Sequence, residues 1–125
     1  MARVTDDLTG GGASLAGGGL SLTRVVLPYS TVIATPADTG NYFTITATDG
    51  VAFTISAPTS PKTGQQITYT IRNTSGGALG TITWNAVFKM PAFATPGTAG
   101  SRSVTFVYDG TNWIQLYQSA TDVPN

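Results

Sequence analysis

Residues 41–57 read NYFTITATDGVAFTISA, and the way this stretch folds decides how the rest of the chain is arranged. Phe43, Ile45 and Ala47 alternate with Thr44 and Thr46, and Phe53 and Ile55 flank Thr54. A period of two marks strands that bury one face. Asp49-Gly50 between the two runs is a turn signal. A two-residue loop at Asp49-Gly50 sets Ile45 opposite Thr54, a mismatch. A three-residue loop, Thr48 to Gly50, sets Ala47 opposite Val51, Ile45 opposite Phe53 and Phe43 opposite Ile55. The second register gathers the apolar residues on one face, so a hairpin is expected, with Gly50 as the left-handed residue of a bulged turn.

Working outward, the same alternation recurs. Upstream, VVLPYSTVIA (25–34) reads as a first strand in which Pro28, lacking a backbone donor, marks an edge or a bulge. Downstream, QQITYTIRN (65–73) points Ile67, Tyr69 and Ile71 inward and Thr68, Thr70 and Arg72 outward. TSGGALG turns the chain, TITWN supplies Ile82 and Trp84, and AVFKM is a short strand before the loop PAFATPGTAGS. The expected fold is all-β: a single β-sandwich over residues 25–118, jelly-roll-like, of about eight antiparallel strands. SATDVPN (119–125) reads as a polar C-terminal tail.

The stretch SVTFVYDGTNWIQLY (103–117) closes this body as a hairpin around Asp109-Gly110. With Tyr108 opposite Trp113, Phe106, Tyr108, Trp113 and Tyr117 share one face, and Val107, Ile114 and Leu116 the other. A strand pair that is apolar on both sides needs two covers. The expectation is that the aliphatic face meets the core while the aromatic face meets a neighbouring subunit or an arm.

Residues 1–24 differ in kind. Glycine triplets at 10–12 and 17–19 separate Leu8, Leu15, Leu20 and Leu22. Such a segment cannot bury enough surface to offset its ordering entropy by itself. It reads either as a linker or as an extended N-terminal arm that orders on a neighbour, with the leucines as pegs. The residues expected to touch a partner or another copy are therefore Leu8, Leu15, Leu20, Leu22, Arg24, Phe106, Tyr108, Trp113 and Tyr117.

Composition excludes several classes. Charged residues are 10% of the 125, against roughly 25% in an average domain, and the net charge is zero. There is no basic field for nucleic acid and no electrostatic attraction to a membrane surface. Every acidic residue is Asp, a turn former, and none is Glu, a helix former. Without Cys there is neither a disulfide framework nor thiol chemistry. The opening MARVTDDLTG lacks the apolar core of a signal peptide, which leads to the expectation of synthesis in a cytoplasm.

Materials for catalysis are few. His, Cys and Glu are absent, which removes the common imidazole, thiol and Glu-based arrangements. Lys62, Lys89 and the aspartates remain, but Asp38, Asp49 and Asp109 all stand in turn contexts, and the adjacent Asp6 and Asp7 lie in the arm. No metal-ligating pattern occurs, and the glycine triplets lack the Lys-Ser/Thr of a phosphate loop. Trp84 and Trp113 could serve as stacking platforms for sugar rings; as residues of alternating strands they read more simply as core. No enzyme, no cofactor and no metal are expected.

The segment ITYTIRNTSGGALGTITWNAVFKM, a spacer and SRSVTFVYDGTNWIQL together resemble small β-proteins of tailed bacteriophages. The shared pattern is a strand ending in Asn73, a glycine turn, a strand ending in Trp84, and a closing YDGTNW hairpin. Similarity to capsid decoration (cement) proteins implies a virion structural subunit on the outer capsid surface. It also implies a homotrimer bound to the major capsid protein. The alternative that the same resemblance carries is a tail-fibre or tailspike component that binds a host surface glycan.

Overall fold

A computed structural model describes residues 13–14 and 21–125. Strand β1 (Ala13–Ser14) pairs antiparallel with β2 (Ser21–Leu22). The body follows as β3 (Arg24–Val26), β4 (Val32–Ile33), β5 (Tyr42–Ala47), β6 (Phe53–Ile55), β7 (Gln66–Asn73) and β8 (Ile82–Trp84). It ends with β9 (Phe88–Lys89), β10 (Gly100–Tyr108), β11 (Trp113–Gln118) and β12 (Val123–Pro124). A single turn of 3₁₀ helix, Ala37–Thr39, is the one helical element among the described residues.

Alternate strands belong to alternate sheets. β3, β5 and β7 are parallel neighbours in one sheet, and β4, β6 and β8 are parallel neighbours in another. The chain runs along the first sheet, turns a corner, returns along the second, and lands on its own previous circuit. Three such coils stack as a short parallel β-solenoid. A parallel pair needs a long crossover, and here each crossover is a strand of the opposite sheet. The coils are unequal in length, since Arg24 stacks on Tyr42 and Tyr42 on Thr68, so no fixed repeat is visible in the sequence.

This corrects three expectations. The protein is all-β, but five strand pairs are parallel, and these ladders replace the antiparallel jelly-roll connectivity. β5 and β6 do not form a hairpin: Asp49-Gly50 is a corner between sheets, and Gly50 is absent from the left-handed glycines, Gly64, Gly76 and Gly110. Likewise, residues 25–34 are two strands in different sheets, with Pro28 in the link between them.

Side-chain direction nevertheless follows the alternation. Phe43, Ile45 and Ala47 from β5, Phe53 and Ile55 from β6, and Ile67, Tyr69 and Ile71 from β7 fill one core between the sheets. Each such burial contributes about 1.5–3 kcal/mol for a large aliphatic or aromatic side chain. Glycine makes one tight corner possible: a Cβ on Gly80 would stand 2.5 Å from the amide nitrogen of Ala52 and 2.6 Å from the carbonyl oxygen of Gly50, one coil away.

The last coil is closed by an antiparallel cap. β10 pairs with β7, β11 with β10, and β9 runs parallel to β11 at the far edge. Residues 119–125 are part of this cap rather than a free tail. β12 pairs with Gly100 and Ser101, the Arg102 guanidinium meets the Asp122 carboxylate at 2.6 Å, and the Asn125 amide donates to the Asn73 carbonyl at 2.9 Å.

Candidate functional site

Across the outer face of the larger sheet, side chains align in rows perpendicular to the strands. Tyr42, Thr68, Thr105 and Tyr117 form one row, set by successive pairings of β5, β7, β10 and β11. The Thr68 and Thr105 hydroxyls bond each other at 2.7 Å. In the next row the Thr70 hydroxyl bonds Ser103 at 2.7 Å and also accepts from the Tyr42 hydroxyl at 2.9 Å. Threonine suits this position because its β-branch fits the pleat while its hydroxyl finds a cross-strand partner.

Beside the Thr68–Thr105 pair the surface falls into a groove of about 750 Å³. Its walls are residues 37–41, from the corner before β5, and 60–66, from the corner before β7. The Gln65 side chain holds the walls together, donating to the Ala37 carbonyl at 2.6 Å. The Asn41 amide donates to the Gln66 carbonyl at 3.1 Å. Ser60, in the wall, has a left-handed φ of 54°, a conformation uncommon outside glycine. Leu22 and Tyr117 stand at the rim, and Tyr117 is 65% exposed.

The structure separates the contact residues expected from sequence. Leu8, Leu15 and Leu20 lie outside the described residues. Leu22 and Tyr117 come together at the groove, and the Arg24 guanidinium reaches the Thr44 hydroxyl at 3.4 Å. Phe106 and Trp113, by contrast, are fully buried, and Tyr108 packs against Trp113 with ring centroids 4.8 Å apart. The hairpin therefore presents its aromatic side to the core and Val107 and Ile114 outward, the reverse of the expected orientation. Tyr108 does pair with Trp113, but a bulge at Leu116 places Tyr117 opposite Thr105, on the outer face.

Trp84 is half-buried and packs against the same core. Its ring centroid lies 5.1 Å from Phe88, 5.3 Å from Phe93 and 5.4 Å from Tyr69, in edge-to-face contacts. Neither tryptophan offers a free face to a sugar. The residue that does, Tyr117, is legible in the sequence only as one more alternating aromatic.

Asp49 and Asp109 hold turns. The Asp109 carboxylate accepts from the amides of Asn112 and Thr111 at 2.7 and 2.8 Å, which lowers its pKa. Asp49 accepts from the Tyr29 hydroxyl at 2.7 Å and from the Val51 amide at 3.0 Å, and its pKa is lowered in that order of cause. Tyr29 is pushed up to about 12, by burial first and then by Asp49. Among the described residues no three of His, Cys, Asp and Glu stand together as a metal site. Asn73, at the end of β7, is wholly buried; it donates to the carbonyls of Gly77 and Pro96 and accepts from the Ser75 amide and hydroxyl.

No family model matches the chain, and no curated protein and no solved structure is similar to it.

Proposed function

We propose that the chain is a non-enzymatic virion structural protein of a tailed bacteriophage, a capsid decoration subunit that binds the major capsid protein and stabilises the shell. The observation that carries this reading is the asymmetry of the solenoid. One end is capped in the larger sheet by β10 and β11, with β8 left as the edge of the smaller sheet. At the other end β3 and β4 are edge strands, and the glycine-rich N-terminal segment runs directly into them. Edge strands present unpaired backbone groups and accept a further strand by addition. Val26 on β3 and Val32 on β4 are 61% and 62% exposed beside those edges. Attachment through this end, to the capsid and to two further copies around a threefold axis, leaves the capped end and the sheet flank outward. Each bound copy favours the assembled shell by mass action.

The test is reconstitution on particles that lack the subunit. Purified chain should bind bare capsids and raise their resistance to heat, and a chain lacking residues 2–22 should bind weakly while its body stays folded. Failure of the intact chain to bind capsids would remove the assignment. A second reading, a tail-fibre or spike component, is favoured by the winding itself, because stacked coils extend along an axis as a fibre does. Imaging of labelled particles separates the two readings by placing the subunit on the head or on the tail.

A further inference from the structure

We infer that the groove on the solenoid flank is a binding site for a neutral, hydroxyl-rich glycan chain, with the Tyr117 ring as its stacking face. This does not depend on the capsid assignment, because the groove lies along the side of the coil stack rather than at its open end, and it gives the second reading's glycan a site on this chain.

Shape comes first. The groove is lined by residues of four successive strands or the corners leading into them: Asn41 before β5, Thr68 on β7, Thr105 on β10 and Tyr117 on β11. Neighbouring strands lie about 4.8 Å apart, so the site extends roughly 14 Å along the stack. Its volume of about 750 Å³ falls in the range of ligand clefts. A site this long, crossing the strands at right angles, suits a linear chain of several rings better than a single compact molecule.

Chemistry narrows the ligand. Lys62 and Asp38 are the charged residues in the lining, one of each sign, so the site has no net field to select a phosphate or a polyanion. The remaining lining carries amide and hydroxyl side chains set in a surface that is somewhat more carbon than polar, with the Thr68–Thr105 pair as its floor. A fatty or lipid ligand would cover the exposed Gln66 amide and Lys62 ammonium without giving them partners. A peptide added as a strand needs a free edge, and β5, β7 and β10 are each paired on both sides. What remains is a ligand that is polar, uncharged and able both to donate and to accept at many points. A sugar chain meets these terms, and the apolar face of a pyranose ring matches an exposed tyrosine ring with water on its other side.

The walls are also held in place before any ligand arrives. The Gln65 and Asn41 amides are committed to backbone carbonyls, which fixes both walls, and Ser60 is kept in a left-handed conformation between them. Strained backbone in a cleft wall is commonly associated with a binding role. The Gln66 side chain, exposed on the outer face, is the amide in position to meet a hydroxyl.

The experiment uses the full chain against immobilised gluco-, manno- and galacto-oligosaccharides, with sialylated oligosaccharides as an anionic arm. Titration of the best neutral oligosaccharide then follows by calorimetry and amide NMR. The expected result is binding to at least one neutral series, little changed by salt, with the largest amide shifts at 60–66 and 115–118. Tyr117→Ala should weaken it about tenfold or more, Gln66→Ala should also weaken it, and Tyr117→Phe should retain it. Val51→Ala, exposed and outside the groove lining, should leave it unchanged. Melting temperatures of all variants check that loss of binding is not loss of fold. The inference is overturned if no neutral oligosaccharide binds, if binding is confined to the sialylated arm and collapses with salt, or if Tyr117→Ala and Gln66→Ala leave affinity intact.

Discussion

The hydroxyls of Tyr69 and Thr35 lie 2.6 Å apart, and both residues are wholly buried. Tyr69 is on β7 of the third coil, whereas Thr35 follows β4 of the first, so the bond ties two coils together through the core. Tyr69→Phe removes one partner and leaves the Thr35 hydroxyl orphaned in an apolar setting, at a cost of about 1–3 kcal/mol. Thr35→Val does the converse, with a cost in the same range. The double variant replaces both polar groups by apolar ones of nearly the same shape, which is close to neutral. The double variant should therefore be no less stable than either single one, with a coupling energy of about 1–2 kcal/mol. Urea unfolding measures this directly: the single variants shift the midpoint down without changing the slope, and the double variant recovers most of the loss. If the two single costs add in the double variant, the hydroxyls do not depend on each other and the packing of the first coil against the third is wrong.

Further outcomes follow from the same structure. Gly80→Ala should destabilise by about 1–3 kcal/mol or more, because its Cβ would press on backbone rather than on a side chain that can move; Gly77→Ala, with open space around it, should be close to neutral in the same denaturant assay. Trp113→Ala should cost about 3–5 kcal/mol in that assay, as core truncations do, and the half-buried Trp84→Ala should cost less. Asn73→Ala should cost about 1–3 kcal/mol and speed hydrogen exchange at Ser75, whose amide loses its acceptor. Base should unfold the protein through its tyrosines: Tyr29 and Tyr69 both titrate higher folded than the ordinary 10.0. The unfolded chain therefore releases these protons first, and stability present below pH 10 is lost progressively towards about pH 12, measurable as a falling melting temperature. Asp49, Asp109 and Asp122 are lowered, so their contribution is present above the ordinary carboxylate range and lost as pH falls through their folded values. Asp49→Asn should shallow that acid slope.

Facing was legible in the sequence because it is local. Successive residues of a strand point to opposite sides, so the alternation at 42–47, 53–55 and 66–73 determined that Phe43, Ile45, Phe53, Ile67 and Tyr69 would be core whatever the strands paired with. The Tyr108–Trp113 register was equally local, carried by Asp109-Gly110 with Gly110 at a φ of 102°. Partner and direction were not. An alternating run looks the same whether its neighbour is the next strand in antiparallel or the next but one in parallel, because the ladder uses backbone groups that every residue has. Only the tertiary structure sent β5 to β7 instead of β6, and with that choice turned a sandwich into a solenoid. The candidate site was hidden for the same reason. Tyr117 reaches the outer face through one extra residue, Leu116, and the groove beneath it joins corners about twenty positions apart in the chain. No short-range pattern brings such residues together; the stacking of coils does.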